Sequence, residues 1–135
     1  MKALIVEDSS RIRDVLCRAL DALGLEDQVE AGNGKEGLAA LARERFDIVL
    51  LDWRMPEMDG IEMLHAMRAS GDHTPAIMVT VIADRESILH AIAAGANDYL
   101  TKPFSLRQLA DKIAAVCPAA ALTADGDATP PSTTE

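Results

Sequence analysis

A chain of 135 residues has room for one compact domain built round one core. Its 13 basic and 22 acidic side chains leave a net charge of −9, and no basic cluster tracks a phosphate backbone, so direct nucleic-acid binding is not expected. No apolar run approaches the roughly 20 residues of a membrane helix, and the N-terminal run meets an acidic pair too early for a secretory signal to be expected. Cys17 and Cys117 form no CxxC motif, so both read as small apolar side chains in a reducing cytoplasm.

In chain order, Ala3 to Val6 is a short, continuous apolar run, the pattern of a strand buried on both faces. Ile12, Val15, Leu16, Ala19, Leu20 and Leu23 then follow helical spacing, with Gly24 as the stop. Val29 marks a weaker strand nearer an edge, and Leu38, Leu41 and Ala42 mark a second helix. Ile48 to Leu51 is the third strand; Asp59 caps a third helix that has Glu62 three residues on and turns Ile61, Leu64 and Met67 inward. Ala76 to Val79 is the fourth strand, and a helix carrying Ile88, Leu89 and Ile92 ends at Gly95. Tyr99 and Leu100 mark a second edge strand, after which Ser105 to Gln108 has the capping-box pattern of a helix burying Leu106, Leu109 and Ile113. The unit spans residues 1–117; from 118 to 135 the chain turns to Ala, Thr, Pro, Ser and Asp and reads as a disordered tail.

Strictly alternating strands and helices predict an α/β fold, one doubly wound five-stranded parallel sheet with five helices. Every notable polar residue then falls at the C-terminal end of a strand: Glu7 and Asp8 after the first, Asp52 after the third, Thr80 at the end of the fourth and Lys102 after the fifth. Ligands of open parallel sheets bind at that edge, beside the point where strand order reverses. If the order is 2-1-3-4-5, three carboxylates converge there, and they cannot all stay ionised without a cation. Hard oxygen donors with few protein contacts suit Mg²⁺ (or Mn²⁺). A carboxylate held there can attack a phosphoryl donor, with the Lys102 ammonium and Thr80 hydroxyl compensating charge on the transferring group.

Taken singly, these residues have ordinary explanations. A Glu-Asp pair after a strand is usually a loop or cap, a strand-ending Thr reflects β-propensity, and a lone Lys is solvated. Their placement on one edge favours the functional reading.

Val6-Glu7-Asp8, Leu51-Asp52-Trp53-Arg54-Met55-Pro56-Glu57-Met58-Asp59-Gly60, Val79-Thr80 and Leu100-Thr101-Lys102-Pro103-Phe104 together resemble response-regulator receiver domains over residues 1 to about 117. The resemblance implies the 2-1-3-4-5 order of a flavodoxin-like sheet. It implies Asp52 as phospho-acceptor, and Glu7, Asp8, Asp52 and the backbone carbonyl of Arg54 as Mg²⁺ ligands. Lys102 would pair with the phosphoryl group, Thr80 would move onto it, and Tyr99 would turn inward in response. A cis Lys102–Pro103 bond is also implied. The expected partners are a sensor histidine kinase or phosphotransfer protein and a downstream protein target, with no membrane or nucleic acid. The chain itself would be a monomer or weak dimer. The expected readout is the face made by the fourth helix, fifth strand and fifth helix. Trp53, Thr80 and Tyr99 match the stand-alone chemotaxis type; a phosphorelay intermediate or a receiver excised from a longer regulator is the alternative.

Three positions are expected to tune the phosphorylated lifetime. Val81 is bulkier than the small residue many receivers carry there, Ile82 removes polarity from the site's mouth, and Arg54 either steers anionic donors or pairs idly with Glu57. An aspartate-nucleophile phosphatase of the haloacid-dehalogenase type would need a second Asp where Arg54 stands. A flavodoxin-like cofactor carrier would need a phosphate-cradling loop where Glu7-Asp8-Ser9-Ser10 presents negative charge. A pseudo-receiver would be expected to lack one of the five site residues, all of which are present. His65, His73 and His90 lack metal-ligand spacing and read as surface side chains.

Overall fold

The computed structural model describes residues 1–118, 120 and 122. Strands β1 (Lys2–Val6), β2 (Asp27–Ala31), β3 (Ile48–Leu51), β4 (Ala76–Thr80) and β5 (Asp98–Thr101) alternate with helices α1 (Ser10–Ala22), α2 (Gly34–Arg43), α3 (Gly60–Ala69), α4 (Arg85–Ala94) and α5 (Leu106–Val116). All strand pairings are parallel and the order is β2-β1-β3-β4-β5, as the resemblance implied. The two weakly patterned strands, β2 and β5, are the edges.

Period-two geometry divides the core. Leu4, Val6, Val49, Leu51, Ala76 and Met78 face α2, α3 and α4, whereas Ala3, Ile5, Ile48, Leu50, Ile77 and Val79 face α1 and α5. Covering both faces explains why the three central strands read as unbroken apolar runs. Each fully buried Leu or Ile in them contributes about 1.5–3 kcal/mol by leaving water.

Helix starts follow side-chain chemistry. Ser9, Asn33, Asp59, Asp84 and Ser105 each accept a backbone N–H of the first turn, and Asp59–Glu62 and Ser105–Gln108 form full capping boxes. The helix faces depart from the apolar pattern in two places: Val15 of α1 is 54% exposed, and α4 turns large residues outward. α4 buries Ala91 and Ala94, while Leu89 is 56% and Ile92 43% exposed. Its far end is held instead by Arg68 of α3. That guanidinium donates to the carbonyls of Gly95, Asp72 and Thr74 and to Asn97 Oδ1, at 2.8–3.1 Å. Burial depresses the Arg68 pKa.

Beyond α5, Ala120 donates its N–H to the Cys117 carbonyl at 2.9 Å, and Ala120 and Leu122 pack against the core on the α1/α5 side. Residues 119, 121 and 123–135 of the expected disordered tail lie outside the described residues. Among the described residues, no helix is long and apolar enough to cross a membrane.

Candidate functional site

Strand register builds the site. β1 and β3 pair Val6 with Leu51, so the next residues, Glu7 and Asp52, leave the sheet side by side. Backbone bonds continue the ladder past the strands: Asp52 N–H donates to the Val6 carbonyl and Glu7 N–H to the Ala31 carbonyl, both at 3.0 Å. On the other side β4 and β5 pair Thr80 with Thr101, and Lys102 N–H donates to the Thr80 carbonyl at 2.9 Å. The Lys102–Pro103 peptide is cis.

The side chains meet where these strands end. Carboxylate oxygens of Glu7, Asp8 and Asp52 all lie within 4.8 Å of one another. Lys102 Nζ donates to Glu7 Oε1 at 2.8 Å and to Asp52 Oδ2 at 3.1 Å. Ser9 N–H holds the other Glu7 oxygen at 3.1 Å, and Trp53 N–H holds Asp52 Oδ1 at 2.6 Å. Glu7 is only 2% exposed, Asp52 is half-buried, and Asp8 opens to solvent.

Burial pushes the Glu7 carboxyl above its ordinary pKa, and the bonds from Lys102 and Ser9 only partly oppose it. Burial also works against the Lys102 ammonium, but the bond to Glu7 and the field of Asp52 outweigh it and raise its pKa. The ammonium is therefore firmly charged.

This donor set fits a divalent ion. Three carboxylates face a single ammonium, so negative charge remains uncompensated, and every donor is a hard oxygen. Opposite ligands of octahedral Mg²⁺ stand about 4.2 Å apart, twice a bond of about 2.1 Å, so oxygens already within 4.8 Å need little adjustment.

The loop after Asp52 leaves no room for a side chain at one residue. A Cβ on Gly60 would lie 2.2 Å from the Asp52 carbonyl oxygen, and Gly60 N–H donates to the Trp53 carbonyl at 2.7 Å. Glu57, between them, has φ 67°, and Met58 N–H reaches the Pro56 carbonyl at 2.7 Å, the rare and strained form of γ-turn.

The remaining expected residues lie at or just past the ends of β3 and β4 and on β5. Thr80 is buried, and its Oγ1 faces the Ile82 N–H at 3.5 Å. Tyr99 is 7% exposed, and its hydroxyl donates to the Ile82 carbonyl at 2.6 Å. Val81 is 69% exposed. Arg54 is exposed and, among the described residues, makes no ion pair with Glu57, which removes the idle pairing expected for it. Trp53 is half-buried and meets the exposed His90 of α4 edge-on, ring centroids 5.8 Å apart.

Sequence reasoning missed Arg13 of α1. Its Nη1 donates to the Glu7 carbonyl at 2.7 Å and its Nε to Glu30 Oε1 at 3.1 Å. Helical spacing does not mark it: the carbonyl it reaches lies six residues back, across the turn that joins β1 to α1.

The model of the response regulator receiver domain matches residues 3–114 of the chain. The chain belongs to the response-regulator receiver family. Among its relatives, the chemotaxis protein CheY of Pseudomonas aeruginosa is 42% identical over 115 residues, covering 84% of this chain and 93% of that one. CheY1 of Helicobacter pylori is 36% identical over 119 residues, covering 86% and 96%. Of solved structures, the Francisella response regulator 1452 receiver domain superposes with a TM-score of 0.81 at 30% identity, covering 87% of this chain and 96% of that one. CheY4 of Vibrio cholerae gives 0.79 at 32%, covering 85% and 97%. A receiver is a phospho-accepting signalling domain that undergoes phosphotransfer and is not a conventional catalytic enzyme.

Proposed function

We propose that Asp52 is the phospho-acceptor of this receiver, that Glu7, Asp8, Asp52 and the Arg54 backbone carbonyl hold Mg²⁺, and that the donor is a sensor histidine kinase or phosphotransfer protein. The observation that carries the reading is the Lys102 ammonium bonded at once to Glu7 and Asp52, within a carboxylate trio compact enough for one divalent ion.

In the transfer, an Asp52 carboxylate oxygen forms a bond to phosphorus while the bond from phosphorus to the donor's imidazole nitrogen breaks, and that nitrogen takes up a proton. Bound Mg²⁺ supplies positive charge to the phosphoryl oxygens. Lys102 exchanges its bond to Asp52 for one to a phosphoryl oxygen, and the Thr80 hydroxyl donates a second. Trp53 N–H, already on Asp52 Oδ1, keeps the carboxylate oriented.

Output then follows from a two-state change. Motion of Thr80 toward the phosphoryl group pulls the segment through Ile82, to which Tyr99 is bonded, and alters the face of α4, β5 and α5. A groove of about 560 Å³ on that face, lined by Ile88, Ile92, Tyr99 and Lys112 among others, suits a downstream protein target. The names of the chemotaxis relatives support that pathway, with a phosphorelay intermediate or a receiver excised from a longer regulator as the alternative. The domain is residues 1–117 with 118–135 as a tail, acting in the cytoplasm as a monomer or weak dimer. Arg54, Val81 and Ile82 tune the phosphorylated lifetime.

Incubation with acetyl phosphate and Mg²⁺ tests the reading. A mass increase on the intact chain, lost without Mg²⁺ and lost in Asp52→Ala, is expected. A mass increase that survives Asp52→Ala would refute the assignment. Val81→Ala is expected to lose phosphate faster than wild type, and equal rates would remove Val81 from the lifetime set.

A further inference from the structure

The backbone is gripped on both sides of Glu7. The Glu7 N–H is fixed by the Ala31 carbonyl, and its carbonyl is fixed by the Arg13 guanidinium. Asp8 has no such support: its carboxylate is exposed, and among the described residues it accepts no hydrogen bond and joins no ion pair. Its direction is therefore set by the peptide that precedes it, and Arg13 holds the oxygen of that peptide.

We infer that Arg13 is a positioning residue for the divalent-ion site, acting through the Glu7 carbonyl to aim Asp8. The inference rests on the metal-site reading above. The guanidinium is itself well anchored. Glu30, at the end of β2, takes its Nε at 3.1 Å. A Cβ on Gly32 would stand 3.6 Å from Arg13 Nη1 and 3.4 Å from Glu36 Oε1, so the guanidinium and the Glu36 carboxylate close over the same glycine. Glu36 in turn accepts the Gly32 N–H at 2.8 Å. β1, β2, α1 and α2 thus meet at one arginine beneath the carboxylates.

Two effects of this arginine on a cation oppose each other. Its positive charge repels the ion, whereas its hydrogen bond orders a ligand. Glu30 offsets the charge at close range, so the ordering effect dominates. Outer groups that orient metal ligands typically change affinity by about 10–100-fold when removed, and Arg13 acts through one peptide, toward the lower end. The sign is the useful feature. If charge ruled, removing Arg13 would tighten binding; because ordering rules, removal weakens it.

Calorimetric titration of the full chain with MgCl₂ provides the test, on wild type, Arg13→Met and the milder Arg13→Gln. Metal-free urea unfolding confirms which variants are folded. Arg13→Met is expected to raise the Kd for Mg²⁺ by roughly tenfold, with Arg13→Gln between it and wild type. Unchanged or tighter binding in either folded variant overturns the inference while leaving the metal site standing. A wild type that takes up no Mg²⁺ overturns both.

Discussion

The Tyr99 hydroxyl donates a 2.6 Å hydrogen bond to the Ile82 carbonyl. The N–H of the same Ile82 faces the Thr80 hydroxyl at 3.5 Å. One residue of the β4–α4 connection is therefore held from β5 on one side and addressed by the end of β4 on the other. Tyr99→Phe keeps the ring's packing and removes only this bond. The expected cost is about 1 kcal/mol in urea unfolding, the usual net worth of a hydrogen bond. A stability unchanged from wild type would mean that the hydroxyl does not hold the segment in solution.

The same phenol gives a pH signature. Burial, then the fields of Asp84 and Asp52, push the Tyr99 pKa up to about 12 from 10.0. Between those values the unfolded chain releases the proton and the folded chain keeps it, so stability falls as pH rises across that window. Tyr99 is the one tyrosine in the sequence, so absorbance titration of the phenolate reads it directly. An ionisation near 12 is expected in the folded chain, and one near 10 would contradict the buried seat.

Much of this fold was legible because both periodicities were clean. The central strands are apolar on both faces, and the cap residues Asp59 and Ser105 carry their partners three positions on. The acidic trio and Lys102 were legible because strand ends are easy to place and charges there are few. Arg13, Arg68 and the Trp53–His90 contact were not. Each acts through backbone carbonyls or a ring edge brought near by tertiary packing, and no local pattern encodes such a partner. The face α4 buries was not legible for a related reason: Ala91, Ala94 and the half-buried Ile88 lie against the sheet, whereas Leu89 and Ile92 do not.

Two substitutions in the loop after Asp52 should move stability in opposite directions. At Glu57 the backbone holds φ 67°, which costs a side-chain-bearing residue roughly 1–2 kcal/mol. Glycine removes that cost and adds back roughly 0.5–1 kcal/mol of unfolded-state entropy, so Glu57→Gly is expected to stabilise by about 0.5–1 kcal/mol. At Gly60 the new methyl would meet the Asp52 carbonyl at 2.2 Å, and Gly60→Ala is expected to destabilise by about 2–3 kcal/mol. Urea midpoints moving the same way would show that the loop relaxes freely.

Arg68→Met should be among the more damaging changes away from the site. It strips hydrogen-bond donors from three carbonyls and Asn97, and these include the Gly95 carbonyl at the end of α4. A loss of about 3 kcal/mol is expected in urea unfolding. Mg²⁺ affinity should stay at the wild-type value, because Arg68 lies at the opposite end of the sheet from the carboxylates. A variant that lost affinity with little loss of stability would show coupling between the two ends.

Lys102→Met tests how the site balances its charge. With the ammonium gone, buried Glu7 faces Asp52 and Asp8 with no compensating cation, and removing one partner of a buried pair costs about 3–5 kcal/mol. The Glu7 pKa, already raised by burial, should rise further once the Lys102 bond that opposed it is lost. A raised carboxyl pKa means that the native state keeps its proton longer than the unfolded chain, so the variant should lose stability as pH climbs from about 4.5 toward neutrality. Added Mg²⁺ replaces the missing charge. Its rise in Tm across a MgCl₂ series should therefore exceed that of wild type, where the ion must share the carboxylates with Lys102. Equal Mg²⁺-induced shifts in the two proteins would mean that the lysine and the metal act on the carboxylates independently.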